Sequence, residues 1–323
     1  MNFLFACDTN YALPLTVCLT SLFENNKSEK ITVFILFSFL TENQKNILIN
    51  LANYYKQDLS LIKVSEFYFK DAPTLRWSKE AYYRLLIKEL LPKEIDRIIY
   101  MDCDTIVNKN LRELYLLDLK EYYLSALKEK NSEGPRDRLG LNTDGNYFQT
   151  GVILFDLNKC RTILNYEIAD ILIKKVGNKL LVVDQDIINI IFDGKIKYLN
   201  PKYNNCEITN FYGNIFYRLL NKINQKDLNE TSILHYSTGK PWNNLFSGSC
   251  EEIWNKYLLL SPYKDLYERK YGKLKYKLLR TGLMKVLFYE YIHITPFINE
   301  VGKKLFSDRL YSKLKMYYRR NIK

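Results

Sequence analysis

The chain has 323 residues, 47% of them hydrophobic, and a formal net charge of +12 at pH 7. This length and hydrophobic content suit a globular protein with one large domain and an appendage, or with two domains, and they exclude a mainly disordered chain. The six cysteines are scattered and include no C-x-x-C pair, which argues against both a disulfide framework and a zinc knuckle.

The first half of the chain alternates predicted strands with predicted helices. Hydrophobic runs predict strands at residues 2–6, 31–37, 59–64 and 98–101. Helices are predicted after Tyr11, from Thr41 and from Ser78, and Thr41 has the capping-box spacing to Gln44. This alternation predicts an α/β fold with a mainly parallel, doubly wound sheet.

The second half is less regular. We predict strands at 124–127, 147–156 and 232–235, and helices at about 158–176 and 187–192. A Gly-, Asp- and Asn-rich segment at 131–146 is predicted to be a loop that lies over a site.

The positive charge is concentrated at the C-terminal end. Residues 263–323 contain 16 Lys and Arg and 5 Asp and Glu, a net charge of +11, so the preceding residues carry about +1. Aromatic and aliphatic residues at helical spacing between these bases predict an amphipathic segment on an anionic membrane surface. A charged helical cap on the rest of the protein and a nucleic-acid-binding segment are the alternatives.

We expect neither a signal peptide at the N-terminus nor a membrane-spanning segment. The N-terminus lacks a basic region and reaches Asp8 after a short apolar run. The longest apolar run, 31–40, is too short to span a bilayer. We therefore expect a cytoplasmic protein.

Asp102 and Asp104 directly follow the predicted strand at 98–101. Ligands of open α/β sheets bind beyond the carboxyl ends of the strands, so both carboxylates are candidate ligand groups. In an extended chain their side chains would point the same way. Such a pair suits Mg²⁺ or Mn²⁺, which keeps positions free for phosphate and water. Taken alone, the D-x-D sequence is equally consistent with a solvated strand end.

Polar residues also follow other predicted strands, and we expect them to lie near the aspartates. They are Asp8 and Asn10, then Asp184, Gln185 and Asp186, and finally His235. His235 either completes a metal site with the two aspartates or is a hydrogen-bonded histidine at a strand end. Gly239 and Lys240 either offer backbone N–H groups and an ammonium group to a diphosphate or form a simple turn.

Six segments occur in a characteristic order. They are residues 5–11 (FACDTNY), 82–85 (YYRL), 100–104 (YMDCD), 147–152 (YFQTGV), 184–189 (DQDIIN) and 235–242 (HYSTGKPW). In this order they resemble the family 8 glycosyltransferases, in particular bacterial lipooligosaccharide galactosyltransferases and glucosyltransferases. The resemblance covers residues 3 to about 245.

This resemblance implies a GT-A fold, which we place in residues 1–250. We expect residues 251–323 to form a basic, mostly helical C-terminal appendage. It implies a retaining, metal-dependent hexosyltransferase that uses UDP-galactose or UDP-glucose with Mn²⁺ or Mg²⁺. The acceptor would be an oligosaccharide or glycolipid of lipopolysaccharide or another surface glycan. We expect residues 263–323 to hold the enzyme on the inner face of the cytoplasmic membrane, and we expect no nucleic-acid partner.

The resemblance also assigns roles to individual residues. The metal ligands would be Asp102, Asp104 and His235. The UDP-sugar would contact Ala6, Asp8, Asn10, Arg84, Asp102, Cys103, Gln149, Gly151, Gly239 and Lys240. The catalytic candidates are Asp184, Gln185 and Asp186.

Retention requires either a nucleophile on the face of the sugar opposite the leaving group or front-side delivery of the acceptor. Gln185 is a poor nucleophile because an amide oxygen is weakly basic, and Asp186 would have to swing inward. We therefore favour front-side substitution, in which Asp184 and Gln185 position the sugar.

Two departures leave the substrates open. Many family members have Asn where this chain has Gln149, so galactose, glucose and an N-acetyl derivative all remain candidate donors. Residues 128–130 (KEK) replace a segment in which close relatives carry an acidic acceptor-binding residue. The alternatives to a transferase are a metal-dependent nucleotidyltransferase or phosphohydrolase, and a non-enzymatic basic protein that binds nucleic acid or membranes.

Overall fold

A computed structural model describes residues 1–141, 147–206, 225–237, 240–242 and 250–267. The chain divides into two compact units. The first comprises Met1–Trp242 and Ser247–Lys264, and the second comprises Asn243–Phe246 and Asp265–Lys323. Almost all of the second unit lies outside the described residues. The functional division at residue 250 stays a prediction.

The first unit contains nine described strands. They are β1 (Asn2–Cys7), β2 (Thr32–Phe37), β3 (Asp58–Lys63), β4 (Arg97–Met101), β5 (Thr105–Val107), β6 (Leu124–Lys128), β7 (Phe148–Asp156), β8 (Ile196–Tyr198) and β9 (Ile233–His235).

Helices connect most of these strands. They are α1 (Ala12–Asn25), α2 (Glu42–Tyr54), α3 (Ile87–Leu90), α4 (Arg112–Tyr115), α5 (Glu133–Leu139), α6 (Leu157–Ile163), α7 (Tyr166–Val176) and α8 (Val183–Ile191), followed by two further helices, Gln225–Glu230 and Glu251–Leu260. Short 3₁₀ helices occupy Thr9–Tyr11, Lys79–Leu86, Gly177–Lys179 and Pro201–Tyr203.

The central sheet has seven strands in the order β3-β2-β1-β4-β7-β6-β8. All neighbouring strands are parallel except β7, which is antiparallel to both β4 and β6. The prediction of a mainly parallel sheet flanked by helices is confirmed. The carboxyl ends of β1 and β4 therefore lie side by side, which is where the predicted site residues begin.

Buried side chains cover both faces of this sheet. Phe3 and Phe5 of β1 belong to the apolar cluster that includes α1 and α2, whereas Leu4 belongs to the cluster that includes α7 and α8. This alternation follows from the two-residue period of a strand. Both faces are thus packed, as a parallel sheet requires.

A second, two-stranded sheet pairs β5 with β9 in antiparallel register, and Thr105 lies opposite His235. The helix Glu251–Leu260 packs within the first unit, where its buried Trp254 contacts the rings of Tyr236 and Trp242 at centroid distances of 6.0 and 4.9 Å. In the part of the chain that the structure describes, no helix is long and apolar enough to cross a membrane.

Several predicted boundaries were wrong. The segment 131–146, predicted to be a loop, contains α5. Pro135 is tolerated in the first turn of this helix, and Gly140, with φ of 67°, ends it. Residues 142–146 lie outside the described residues. The helix predicted at 158–176 is two helices, since the side chain of Asn165 caps α7 by accepting a hydrogen bond from the backbone N–H of Ile168.

The helix predicted from Ser78 begins as the 3₁₀ helix Lys79–Leu86 before continuing as α3. Over so few turns, the apolar periods of 3.0 and 3.6 residues are hard to tell apart. The helix predicted at 187–192 starts earlier, at Val183. Asp184 and Asp186 therefore lie in its first turn rather than at a strand end, a position that acidic residues favour.

Candidate active site

The two aspartates lie where β4 leaves the central sheet. The backbone N–H of Asp102 donates to the Gly151 carbonyl over 2.8 Å, which extends the β4–β7 pairing by one residue. The chain then turns, and the Thr105 hydroxyl donates to the Asp102 carbonyl over 2.8 Å. Both carboxylates line one cavity beyond the carboxyl end of β4.

This cavity has a volume of about 610 Å³, within the range of small-ligand sites. Twelve of the residues predicted from the sequence line it: Ala6, Asp8, Arg84, Asp102, Cys103, Asp104, Gln149, Gly151, Asp184, Gln185, His235 and Lys240. Residues from β1, β4, β7, α8 and β9 therefore meet in one place.

His235 is brought to the aspartates by the small second sheet. The backbone N–H of Tyr236 donates to the Asp104 carbonyl over 2.9 Å, beside the Thr105–His235 pair. His235 Nε2 lies 3.2 Å from Asp104 Oδ1 and 3.8 Å from Asp102 Oδ2. One ligand atom from each of these three residues lies within 4.8 Å of the other two, so the set can hold a metal ion.

The chemistry of the three residues fits a divalent cation. Two carboxylates and an imidazole are ligands that Mn²⁺ accepts, and Mg²⁺ is commonly held by one or two carboxylates. Asp104 Oδ1 is buried, and among the described residues no group is aligned to donate a hydrogen bond to it, although His235 Nε2 lies 3.2 Å away. Such an oxygen is available to ligate a cation.

Charges around Asp104 favour its ionised form. Burial raises the pKa of Asp104, but His235 and Lys240 outweigh burial and hold it well below its usual value. The Lys240 ammonium group forms an ion pair with Asp104 Oδ2. Burial lowers the pKa of His235, whereas Cys206 and Asp104 raise it, and the net result is a pKa well above the usual value.

Arg84 joins Asp102 to Asp184. Its Nη2 lies 2.8 Å from Asp102 Oδ1 and its Nε lies 3.1 Å from Asp184 Oδ2. Its Nη1 donates to the Thr150 carbonyl over 2.6 Å, and the guanidinium group lies 4.0 Å from the centroid of the Tyr100 ring. Burial raises the pKa of Asp184 to about 6, although Arg84 opposes this shift.

Gln185 lies beside Asp184 in the first turn of α8. Its Oε1 accepts from the Thr150 backbone N–H over 3.2 Å and from the Thr150 hydroxyl over 3.3 Å. The Thr150 hydroxyl also lies 3.3 Å from Asp184 Oδ2. Thr150 therefore fixes the orientation of both side chains at the cavity wall.

Asp186 does not join this group. It is fully buried, lies outside the cavity lining and accepts five hydrogen bonds. Two come from the Arg138 guanidinium group at 2.9 Å each, one from the Tyr147 hydroxyl at 2.6 Å, and two from the backbone N–H groups of Leu181 and Val182 at 2.8 and 3.0 Å. This network holds the carboxylate in place away from the cavity.

Two other predicted residues are placed differently. Asn10 is exposed, is not part of the cavity lining, and donates to Asp8 Oδ2 over 3.2 Å. Gly239 lies outside the described residues.

Gly151 is required by close packing. A methyl group there would overlap His235 Cε1 and would lie 2.7 Å from His235 Nδ1 and 3.2 Å from Asp102 Oδ2. The absence of a side chain at this point of β7 lets the histidine approach the aspartates.

Sequence reasoning missed several residues of the cavity. They include Tyr11, Arg76, Trp77, Glu80, Glu129, Thr150 and Cys206. Tyr11 and Thr150 lie inside segments already singled out and could have been found there. Cys206 carries no local signal, because only the folded chain brings it beside His235.

Comparisons with known proteins agree with this arrangement. A family model described as glycosyl transferase family 8 matches residues 2–245. A lipopolysaccharide 1,2-glucosyltransferase of Escherichia coli is 28% identical over 282 residues, covering 83% of this chain and 81% of that protein. A Haemophilus influenzae protein with the provisional name of glycosyltransferase is 32% identical over 210 residues, and the match spans 63% of each chain, less than two thirds of that protein.

The galactosyltransferase LgtC, crystallised with donor and acceptor sugar analogs, superposes with a TM-score of 0.70 at 22% identity, covering 81% of this chain and 96% of that chain. This likeness confirms the predicted GT-A fold. The family match does not favour a nucleotidyltransferase, a phosphohydrolase or a purely binding protein.

Proposed function

Because the chain belongs to glycosyl transferase family 8, we propose that it transfers a hexose from a UDP-sugar to a glycan acceptor in lipopolysaccharide or another surface-glycan pathway. The observation that carries this proposal is the single cavity that joins Asp102, Asp104 and His235 to Arg84 and Asp184. The E. coli relative, named as a lipopolysaccharide glucosyltransferase, supports the class of acceptor.

The donor would lie between the metal ligands and the first turn of α8. A Mn²⁺ or Mg²⁺ ion held by Asp102, Asp104 and His235 would neutralise charge that develops on the diphosphate leaving group. Lys240, whose ammonium group is next to Asp104, would add positive charge at the same place. Asp8 at the end of β1 would contact the nucleoside.

The sugar would be held by Asp184 and Gln185. Asp184 is fixed by Arg84 and Gln185 by Thr150, so both side chains are preorganised at the cavity wall. We propose that the reaction retains anomeric configuration by front-side substitution, since Asp186 is held outside the cavity and the amide of Gln185 is a weak nucleophile.

The acceptor would enter beside Glu129, which lines the same cavity. Its carboxylate is the acidic group available for a sugar hydroxyl in the 128–130 segment. The donor hexose is proposed as glucose or galactose, and Gln149 at the cavity wall is the side chain that would discriminate between them.

We also propose that residues 263–323, with their net charge of +11, hold the enzyme on the anionic inner face of the cytoplasmic membrane. A lipid-linked acceptor is presented at such a surface, and basic amphipathic segments bind there.

The direct test is a transfer assay on the full chain. UDP-glucose and UDP-galactose are each incubated with Mn²⁺ and with lipopolysaccharide truncated in its outer core, and the product is analysed by NMR. The proposal predicts an α-linked hexose on the acceptor, formed only with metal. A β-linked product would contradict retention. If neither transfer nor hydrolysis of the donor occurred with UDP-glucose or with UDP-galactose, the proposed activity would be contradicted.

A further inference from the structure

A chain of polar side chains lies behind His235, on the side of the ring that faces away from the aspartates. His235 Nδ1 is 2.8 Å from Asn204 Oδ1. The Asn204 amide nitrogen donates to Gln149 Oε1 over 3.3 Å. Asn204 is fully buried, whereas Gln149 lines the cavity.

The backbone fixes Asn204 against the strand that carries His235. The backbone N–H of Asn205 donates to the Ile233 carbonyl over 3.0 Å, and the backbone N–H of His235 donates to the Asn205 carbonyl over 3.1 Å. These two bonds form a parallel bridge alongside β9. The position of Asn204 relative to the histidine ring is therefore set by main-chain pairing.

The order of donors and acceptors in this series of hydrogen bonds determines which nitrogen of His235 carries a proton. Because the amide nitrogen of Asn204 donates to Gln149, its oxygen is the atom presented to His235. An amide oxygen only accepts, so the ring nitrogen that faces it must carry the proton. His235 Nε2, which faces both aspartates, is then the nitrogen that would give up its proton and ligate a bound cation through its lone pair.

Cys206 does not replace Asn204 in this role. Its sulphur lies 3.5 Å from His235 Nδ1 and also donates to Gln149 Oε1 over 3.3 Å. The Asn204 oxygen is both nearer to Nδ1 and a stronger acceptor than a thiol.

We propose that Asn204 is a positioning residue that keeps the proton of His235 on Nδ1 and so directs Nε2 to the metal, and that Gln149 fixes the orientation of the Asn204 amide. The proposal rests on the metal site of the proposed function. It adds two residues, outside the ligand set, that determine how strongly the site binds its cation.

The test measures Mn²⁺ affinity of the full chain by EPR of the free ion, with and without UDP. Loss of the residue that accepts a hydrogen bond from a metal-ligating histidine weakens metal binding by about 10- to 100-fold. We expect a loss of this size for Asn204→Leu. Asn204→Asp keeps an oxygen acceptor for Nδ1–H, so its affinity should stay close to that of the wild type. Asn205→Ala is the matched control, because the Asn205 amide donates to Thr231, and no change is expected.

A second readout and a second variant keep the test valid if Asn204→Leu fails to fold. The nitrogen coupling in the spectrum of the bound Mn²⁺ should be strong in the wild type and weakened in Asn204→Leu. Gln149→Met, altered at the cavity wall, should also lower the Mn²⁺ affinity, by less than Asn204→Leu. A wild-type chain that binds no Mn²⁺ would overturn the metal site and, with it, the metal-dependent function. Equal affinities in the wild type, Asn204→Leu and Gln149→Met would overturn the role of Asn204 alone.

Discussion

Arg84 is the side chain on which the charge arrangement of the cavity depends. It is only 5% exposed and forms ion pairs with both Asp102 and Asp184. Burying charges costs free energy that is recovered only when the partners are well placed. One guanidinium group therefore allows two carboxylates from different elements to lie at the same cavity.

Replacing Arg84 with Met should destabilise the fold strongly. Removing one partner of a buried ion pair typically costs about 3–5 kcal/mol in the free energy of unfolding, which urea denaturation would measure. Arg76→Met is the control, since Arg76 is exposed at the same cavity and its replacement should change stability little.

The loss of stability caused by Arg84→Met should depend on pH. Arg84 opposes the effect of burial on the pKa of Asp184, which lies at about 6 in the wild type, so without Arg84 this pKa rises further. A raised pKa means that the folded state favours the protonated carboxyl, and stability falls as pH rises through that pKa. The variant should therefore lose more stability, relative to the wild type, at pH 8 than at pH 5. Equal losses at both pH values would show that charge is not the cause.

Gly151→Ala should weaken Mn²⁺ binding, because the added methyl group displaces the imidazole of His235 from the aspartates. Gly134→Ala is the matched control. Apart from its chain neighbours and the backbone of helix α5, no atom of the described residues lies within 4 Å of a methyl group at Gly134. Ala there should raise stability by up to about 1 kcal/mol. Calorimetric titration of Mn²⁺ compares the two, and an unchanged affinity in Gly151→Ala would contradict the packing argument.

At the scale of elements, the sequence predicted best where local chemistry decides the outcome. The capping box of Thr41 and Gln44 is present as predicted. The prediction from sequence failed at α8. It placed Asp184 at a strand end, although acidic residues in a first turn are themselves a helix signal. The pairing of β5 with β9, which carries His235 to Asp104, joins residues far apart in the chain, and no local pattern encodes it.

Asp186 stabilises the start of α8 and the neighbouring Arg138 of α5. Asp186→Asn should lower the free energy of unfolding by about 2–3 kcal/mol, somewhat less than for a fully buried pair because Arg138 is 18% exposed. Transfer by the folded variant should persist, since the carboxylate is held outside the cavity. Urea denaturation and the transfer assay measure the two effects.

Asp170→Asn is the control for that variant, because Asp170 forms a surface pair with Lys174 on α7, and such exposed pairs contribute little to stability. A folded Asp186→Asn variant that binds UDP-hexose but fails to transfer it would support Asp186 as a nucleophile and contradict front-side substitution.

On the scale of the whole molecule, the charge of the chain is distributed between a nearly neutral body and a basic end. Replacing Lys273, Lys275, Lys277 and Arg280 with Gln in the full chain should reduce cosedimentation with vesicles that contain anionic lipid. The control replaces four exposed lysines of the first unit, Lys63, Lys70, Lys88 and Lys93. Binding of the wild type should weaken as salt increases. Equal cosedimentation of the two quadruple variants would contradict a role for the basic end.

The central claim is a metal-dependent UDP-hexose site, and isothermal titration tests it most directly. UDP-glucose and UDP-galactose are titrated into the wild type, into Asp104→Asn and into the control Glu94→Gln, which alters an exposed carboxylate, each with and without Mn²⁺. The structure predicts saturable binding of at least one nucleotide sugar to the wild type and to Glu94→Gln only when Mn²⁺ is present, and loss of that binding in Asp104→Asn. Binding that is equally strong without metal, or in Asp104→Asn, would contradict the roles of Asp102, Asp104 and His235, and binding of neither sugar would contradict the donor site itself.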